Sequence, residues 1–213
     1  IRLLETANRA GDEEIEAIME EERARNWVIA TRGSALALAQ TEIVRRLLKE
    51  KGIDTEIRVV STRGDKDRVR PLSEIGGKGL FVREVEREVI SGRADIAVHS
   101  GKDLPYALAQ GTLIAGIPKA GDERDCLITR KGEGLFEGAR IGTGSPRRMI
   151  QMKRLLPQAA CVPIRGNVDT RLKKLREGEY DGIFLAKAGL ERLHTDLSEF
   201  AVRIFSAQEF LPA

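Results

Sequence analysis

Only two cysteines, Cys126 and Cys161, occur in 213 residues. Both lie in apolar stretches, "DCLIT" and "ACVPI", which suits small buried hydrophobes and excludes a disulfide framework. Histidine is as scarce: His99 and His194 are the only two, too few for a zinc constellation. Aromatics make up 4% of the chain, which argues against stacking platforms for single-stranded nucleic acid. No apolar run approaches membrane-spanning length, and the opening "IRLLETANRAGDEEIEAIMEEERARN" is too charged for a secretory signal. A cytoplasmic protein is expected. Charge of one sign is also lacking: Lys+Arg 36 against Asp+Glu 33 leaves +3, so cations act through clustering rather than net charge.

What is present is alternation. "WVIA" reads as a strand, "ALALAQTEIVRRLLKEKG" as an amphipathic helix stopped by Gly52, and "IDTEIRVV" as the next strand. "GLFVREVEREVISG" is a helix closed by Gly92, and "ADIAVHS" a short buried strand, followed by "TLIAGIP". From "DCLIT" the logic repeats, through strands "ARIGTG", "AACVPIR", "YDGIFLA" and "AVRIF" and helices "SPRRMIQMKRLLP", "NVDTRLKKLREGE" and "KAGLERL". Such alternation indicates βαβ units and parallel sheet. An α/β fold of two lobes is expected, each a mostly parallel sheet flanked by helices. The boundary falls near Gly121–Arg124, giving a first lobe over 1–121 and a second over 122–213. A solvated helix is expected over residues 10–25, with Asp12 or a neighbour as its cap.

Open α/β sheets bind ligands beyond the carboxyl ends of their strands. Those ends read Thr31-Arg32-Gly33-Ser34, Ser61-Thr62-Arg63-Gly64-Asp65, His99-Ser100-Gly101-Lys102-Asp103, Thr143-Gly144-Ser145 with Arg147 and Arg148, and Arg165-Gly166-Asn167. In "RIGTGSPRRMIQMKR", Ser145 sits as an N-cap, Pro146 at the first helical position, and two guanidinium forks follow. A capped surface helix with solvated arginines is the plain alternative for that stretch. Five hydroxyl-, glycine- or arginine-bearing strand ends together favour a polyanionic ligand. Nucleotide is disfavoured, because "GGKGLF" lacks the spacing and end of a P-loop and no strand leads into a dinucleotide fingerprint. Carboxylates are the better expectation. Asp103 is the one acid among Lys102, Arg32 and the other strand-end cations; it is either a loop ion pair or a group that holds a developing cation and moves a proton.

"ATRGSALALAQ", "GGKGLFVREVE", "ADIAVHSGKDLP", "IGTGSPRR", "VPIRGNVDTRLKKL" and "LAKAGLERL" occur in that order and resemble the hydroxymethylbilane synthase (porphobilinogen deaminase) family over residues 27–213. The resemblance implies two lobes similar to periplasmic solute-binding proteins with a cleft between, a dipyrromethane cofactor, and head-to-tail condensation of porphobilinogen with loss of ammonia, a transferase step of tetrapyrrole (heme) biosynthesis. It implies that Asp103 is the catalytic aspartate. It further implies that Arg32, Ser34, Lys78, Ser100, Lys102, Thr143, Ser145, Arg147, Arg148, Arg165, Arg171 and Arg192 bind the carboxylates of cofactor and substrate, each pyrrole unit carrying an acetate and a propionate. Gly101 departs from the family, where a larger apolar residue is usual, and looser packing under the catalytic loop is expected.

The resemblance also implies a third domain whose cysteine anchors the cofactor. The sequence ends at "FLPA", where the family continues, and neither Cys126 nor Cys161 matches the anchoring position, so covalent attachment is not expected. Residues 1–26 resemble the family segment that returns to the first lobe after that point, as though relocated to the front; the alternative is an unrelated helix. The last few residues are expected to cross back toward the first lobe. A monomer acting on a small molecule, without nucleic acid or membrane, is expected. The competing expectations are a non-catalytic two-lobed binder of anions or pyrroles and, with less behind it, a nucleic-acid binder using the basic helices at Arg147 and Lys173-Lys174.

Overall fold

A computed structural model describes residues 16, 20–22, 24–62, 79 and 81–212. The chain divides into two compact units; among the described residues the first runs up to Pro118 and the second from Lys119. Most of the helix expected over 10–25 lies outside the described residues. Glu16, Glu20–Glu22 and Ala24 are helical.

The first unit is built on three parallel strands in the order β2-β1-β3: β1 (Trp27–Arg32), β2 (Thr55–Val60) and β3 (Ile96–Ala97). Helix α1 (Ala35–Lys49) starts at Ser34, whose hydroxyl accepts the Ala37 N–H at 3.2 Å, an N-cap worth about 1 kcal/mol. Gly52, with φ +80°, carries the chain out of the helix toward β2. Helix α2 (Arg83–Ile90) packs Val85 with Ala30 and Ala94 in a small core. A polar contact ties α1 to the central strand, the buried Thr41 hydroxyl donating to that of Thr31 at 2.8 Å. The third strand corrects the sequence reading of "ADIAVHS": it is two residues long and half-buried, and the chain leaves the ladder at Val98. Segment 112–118 is irregular, with Leu113, Ile114 and Ile117 exposed.

The second unit carries a five-stranded sheet ordered β6-β5-β7-β4-β8: β4 (Asp125–Arg130), β5 (Arg140–Gly142), β6 (Ala160–Val162), β7 (Gly182–Ala186) and β8 (Phe200–Ile204). β5, β6 and β7 run parallel, while β4 is antiparallel to both β7 and β8. Period-two alternation sorts the strands between two cores. Ile183 and Leu185 of β7, with Cys126 and Ile128 of β4, face a cluster holding Leu172 and Leu175 of α4 (Val168–Arg176). Phe184 and Leu127 face the opposite way, against Met152 of α3 (Pro146–Leu155) and Phe205 and Phe210. The three phenylalanines stack with centroids 4.9–5.8 Å apart and pin the C-terminal segment onto β7. A last short helix, α5 (Lys187–Arg192), follows β7 directly. Cys126 is buried and Cys161 half-buried, both as free thiols; burial pushes the Cys126 thiol up to about 11.

Candidate functional site

In the first unit, β1 delivers Arg32 and Ser34 at its carboxyl end, and β3 delivers His99, Ser100, Lys102 and Asp103. A single 3-10 turn over Gly101–Asp103 places the aspartate, with the Asp103 N–H donating to the Ser100 carbonyl at 2.9 Å. The Ser100 hydroxyl donates to Gln40 Oε1 at 2.6 Å, tying that turn to α1. The Asp103 carboxylate lies 4.0 Å from Arg32 Nη1, with side-chain exposures of 28% and 19%. Arg32 is stacked over the Phe81 ring at 4.0 Å. Lys102 is exposed, Ser34 serves as the α1 cap, and Lys78 lies outside the described residues. A Cβ added at Gly101 meets nothing within 4 Å, so a larger residue has room there.

His99 belongs to the same cluster, a feature its sequence position alone did not single out. Burial lowers its pKa from the ordinary 6.5, Asp103 pulls it up and Arg32 pushes it down. Its Nε2 is buried and has no hydrogen-bond partner.

In the second unit the expected cap is realised. Ser145 Oγ accepts from the Arg148 N–H at 3.5 Å, Pro146 opens α3, and the fully buried Thr143 accepts the Ser145 N–H at 3.2 Å. The two forks, however, turn inward to one carboxylate. Arg147 Nη2 donates to Asp125 Oδ2 at 2.7 Å; Arg148 donates to Asp125 Oδ1 from Nη2 at 2.7 Å and from Nε at 3.1 Å. Asp125 is 1% exposed, against 27% for the side chain of Arg147 and 13% for that of Arg148. Arg148 Nη1 also donates to the Phe184 carbonyl at 3.0 Å, and Arg147 Nη1 to the Leu211 carbonyl. The sequence signal for this partner is slight: an acid opening an otherwise apolar strand.

Arg171, on α4, is half-buried and donates from Nε to the Gly166 carbonyl at 2.8 Å. Burial first, then Arg148 and Arg165, hold its pKa below the ordinary guanidinium value, and Tyr180 pulls weakly the other way. The turn before α4 is tight: Gly166 has φ +110°, and a Cβ there would stand 2.6 Å from Thr170 Cγ2. Arg148 and Arg165 therefore act on Arg171 as like charges, while Asp125 pairs with Arg148. Arg192, at the end of α5, lies against Gly121, where an added Cβ would be 3.2 Å from its Nη2. Among the described residues no cluster of His, Cys, Asp and Glu suits a metal ion, and no helix is long and apolar enough to cross a membrane.

Both α/β units thus end strands in cationic side chains: the first sets an aspartate beside Arg32, and the second gathers arginines around Asp125. Residues 27–213 match the family model described as porphobilinogen deaminase, dipyromethane cofactor binding domain. The chain is 47% identical over 190 residues to a probable porphobilinogen deaminase of Methanosarcina mazei, covering 87% of this chain and 59% of that protein. It is 49% identical over 174 residues to the porphobilinogen deaminase of Roseiflexus sp., covering 79% and 57%. The chain belongs to the porphobilinogen deaminase family, and it spans about three fifths of the length of these curated relatives. Among solved structures it is similar to the periplasmic VFT2 domain of Bordetella pertussis BvgS, at 16% identity and a TM-score of 0.45, covering 92% of this chain and 80% of that one.

Proposed function

We propose that this chain binds porphobilinogen and short pyrrole chains through their carboxylates and that Asp103 handles the charge and the proton in their head-to-tail condensation. The observation that carries the reading is the state of Asp103. Among the described residues its nearest cation, Arg32, stands at 4.0 Å, beyond hydrogen-bond reach, and none of them donates a hydrogen bond to its carboxylate. A half-buried carboxylate left open in this way can face a cation that forms on the substrate.

In each condensation the C–N bond of the aminomethyl group breaks and ammonia departs, leaving a cationic methylene-pyrrole. A C–C bond then forms to the free α-carbon of the next pyrrole, and that carbon loses its proton. Asp103 stabilises the cation and then takes up the α-proton and passes it to solvent, where it balances the ammonia released earlier as ammonium. The dipyrromethane of the family, when bound, supplies the starter with a free α-carbon. Thr143, Ser145, Arg147, Arg148, Arg165, Arg171 and Arg192 in the second unit, and Arg32, Ser34, Lys78, Ser100 and Lys102 in the first, are assigned to carboxylates of the starter and the substrate. The like-charge crowding at Arg171 supports this for the second unit, because a bound carboxylate relieves it. Two free thiols fit a reducing, cytoplasmic setting.

The test is incubation of the chain with porphobilinogen, following ammonia release and the intact protein mass. Ammonia release that Asp103→Asn lowers by at least about 100-fold is expected, with the protein mass unchanged. Absence of both saturable porphobilinogen binding and ammonia release in the unmodified chain overturns the reading. A mass gain in pyrrole units would place the starter's attachment on this chain.

A further inference from the structure

We propose that Asp125 is a positioning residue for carboxylate recognition: a buried anion on β4 that seats the Arg147 and Arg148 forks in register with the strand-end site at Thr143–Ser145. The inference rests on the functional reading above and adds a residue to it. Asp125 opens β4 and its main chain is committed to the sheet, pairing with Ala186 on one side while its carbonyl accepts the Phe205 N–H at 3.1 Å on the other. The ladder thus fixes its backbone, and burial holds the carboxylate itself at 1% exposure. Each oxygen is claimed by a different arginine: Oδ2 by Arg147 and Oδ1 by Arg148, the latter through two N–H groups.

The two arginines emerge from the first turn of α3, where their long side chains would otherwise move through many rotamers. Held in this way, they keep their remaining N–H groups in a fixed plane, and a planar fork that is already ordered loses less entropy on meeting a carboxylate. Second anchors complete the arrangement. The Phe184 carbonyl takes Arg148 Nη1, and the Leu211 carbonyl takes Arg147 Nη1. The Leu211 segment is itself locked to α3 by Gln151, whose Nε2 donates to the Leu211 carbonyl at 3.0 Å and whose Oε1 accepts the Leu211 N–H at 2.5 Å.

Replacing Asp125 by Asn adds one positive unit to the local field, which alone would strengthen anion binding. It also turns one oxygen into an amide donor that faces a guanidinium, so one fork loses its seat. Loss of order outweighs the gain in charge, because a fork without its seat must be ordered again at each binding event.

The experiment compares the unmodified chain, Asp125→Asn and Phe200→Leu, a change in the core cluster that β4, β7 and α4 share, by three readouts: porphobilinogen affinity by calorimetry, thermal midpoint, and the arginine Nε–H resonances in NMR. Asp125→Asn is expected to weaken porphobilinogen binding about tenfold and to erase the shifted, slowly exchanging Nε–H signal of Arg148. Phe200→Leu is expected to lower the thermal midpoint while leaving affinity within about twofold, which separates loss of stability from loss of position. A folded Asp125→Asn protein whose affinity is unchanged or increased overturns the proposal, as does an Arg148 signal that survives the substitution. If Asp125→Asn does not fold, Asp125→Glu keeps the charge but shifts it by one methylene; weaker binding at a retained midpoint supports positioning, and unchanged binding refutes it. If the unmodified chain itself fails to bind porphobilinogen, the functional reading falls, and the Nε–H signal still decides whether Asp125 orders the forks.

Discussion

Arg32 stands 4.0 Å from the Asp103 carboxylate and 4.0 Å above the Phe81 ring, so its charge is shared between an acid and a π-face. The cation stands beyond hydrogen-bond distance of the carboxylate, and among the described residues no other group donates to it. Asp103→Asn is therefore expected to leave the fold intact, with a change in unfolding free energy below about 1 kcal/mol, the range of half-exposed ion pairs. Condensation is expected to fall at least about 100-fold. Ammonia release beside chemical denaturation measures both, and a variant that turns over normally removes Asp103 from the chemistry.

Arg171→Met separates binding from stability. The guanidinium is partly desolvated near Arg148 and Arg165, and its Nε donates to the Gly166 carbonyl. Methionine keeps an apolar stem of similar length and removes the charge. The urea midpoint is expected to hold or rise, and porphobilinogen affinity to drop about 10- to 100-fold, the worth of one charge-assisted hydrogen bond. A lowered midpoint with unchanged affinity would make Arg171 a structural tie to the Gly166 carbonyl.

The strands and helices of both units follow from hydrophobic period and from punctuation, because those signals are local. Ser145 caps α3 as its position suggests and Pro146 opens it, while the structure adds Ser34 and Asn167 as caps of α1 and α4. Strand direction is not a local property: "DCLIT" has the same apolar run whether it lies parallel or antiparallel to β7, and only the ladder shows that β4 is reversed. The "ADIAVHS" stretch shortens to two paired residues because its polar end turns at Ser100 to place Asp103. Arginines at a helix start could be read as cationic, but their partner was not legible. Asp125 lies more than twenty residues earlier, and nothing in "RDCLIT" marks it as the acid that both forks share.

Gly142 tests how closely the second unit is packed beneath its strand end. A Cβ there would stand 2.9 Å from Tyr180 Cδ1 and 3.1 Å from both Ile164 Cδ1 and Ile183 Cγ2. Tyr180 cannot easily retreat, since its hydroxyl donates to the Pro163 carbonyl at 2.9 Å. Gly142→Ala is expected to cost about 1–3 kcal/mol of stability, as overpacking does. Equilibrium urea unfolding checks it; a neutral result would mean that the sheet yields here.

His99 makes the first unit sensitive to mild acid. Burial, first among its influences, lowers its pKa below the ordinary 6.5, and the pull of Asp103 does not reverse that. Between the folded and the ordinary value the unfolded chain binds more protons, so stability rises with pH across that window. Stability is accordingly full above about pH 6.5 and declines as pH falls through the folded value. The acids held low by arginine, such as Glu133 beside Arg130 and Glu199 beside Arg176, lose their contribution only further down, below 4.5. His99→Gln has no such titration, and its unfolding free energy is expected to be flat between pH 6.5 and 5 where the unmodified chain declines. Urea unfolding at half-unit pH steps measures the two slopes. Equal slopes would show that the buried imidazole takes up its proton as readily in the folded unit as in the unfolded chain.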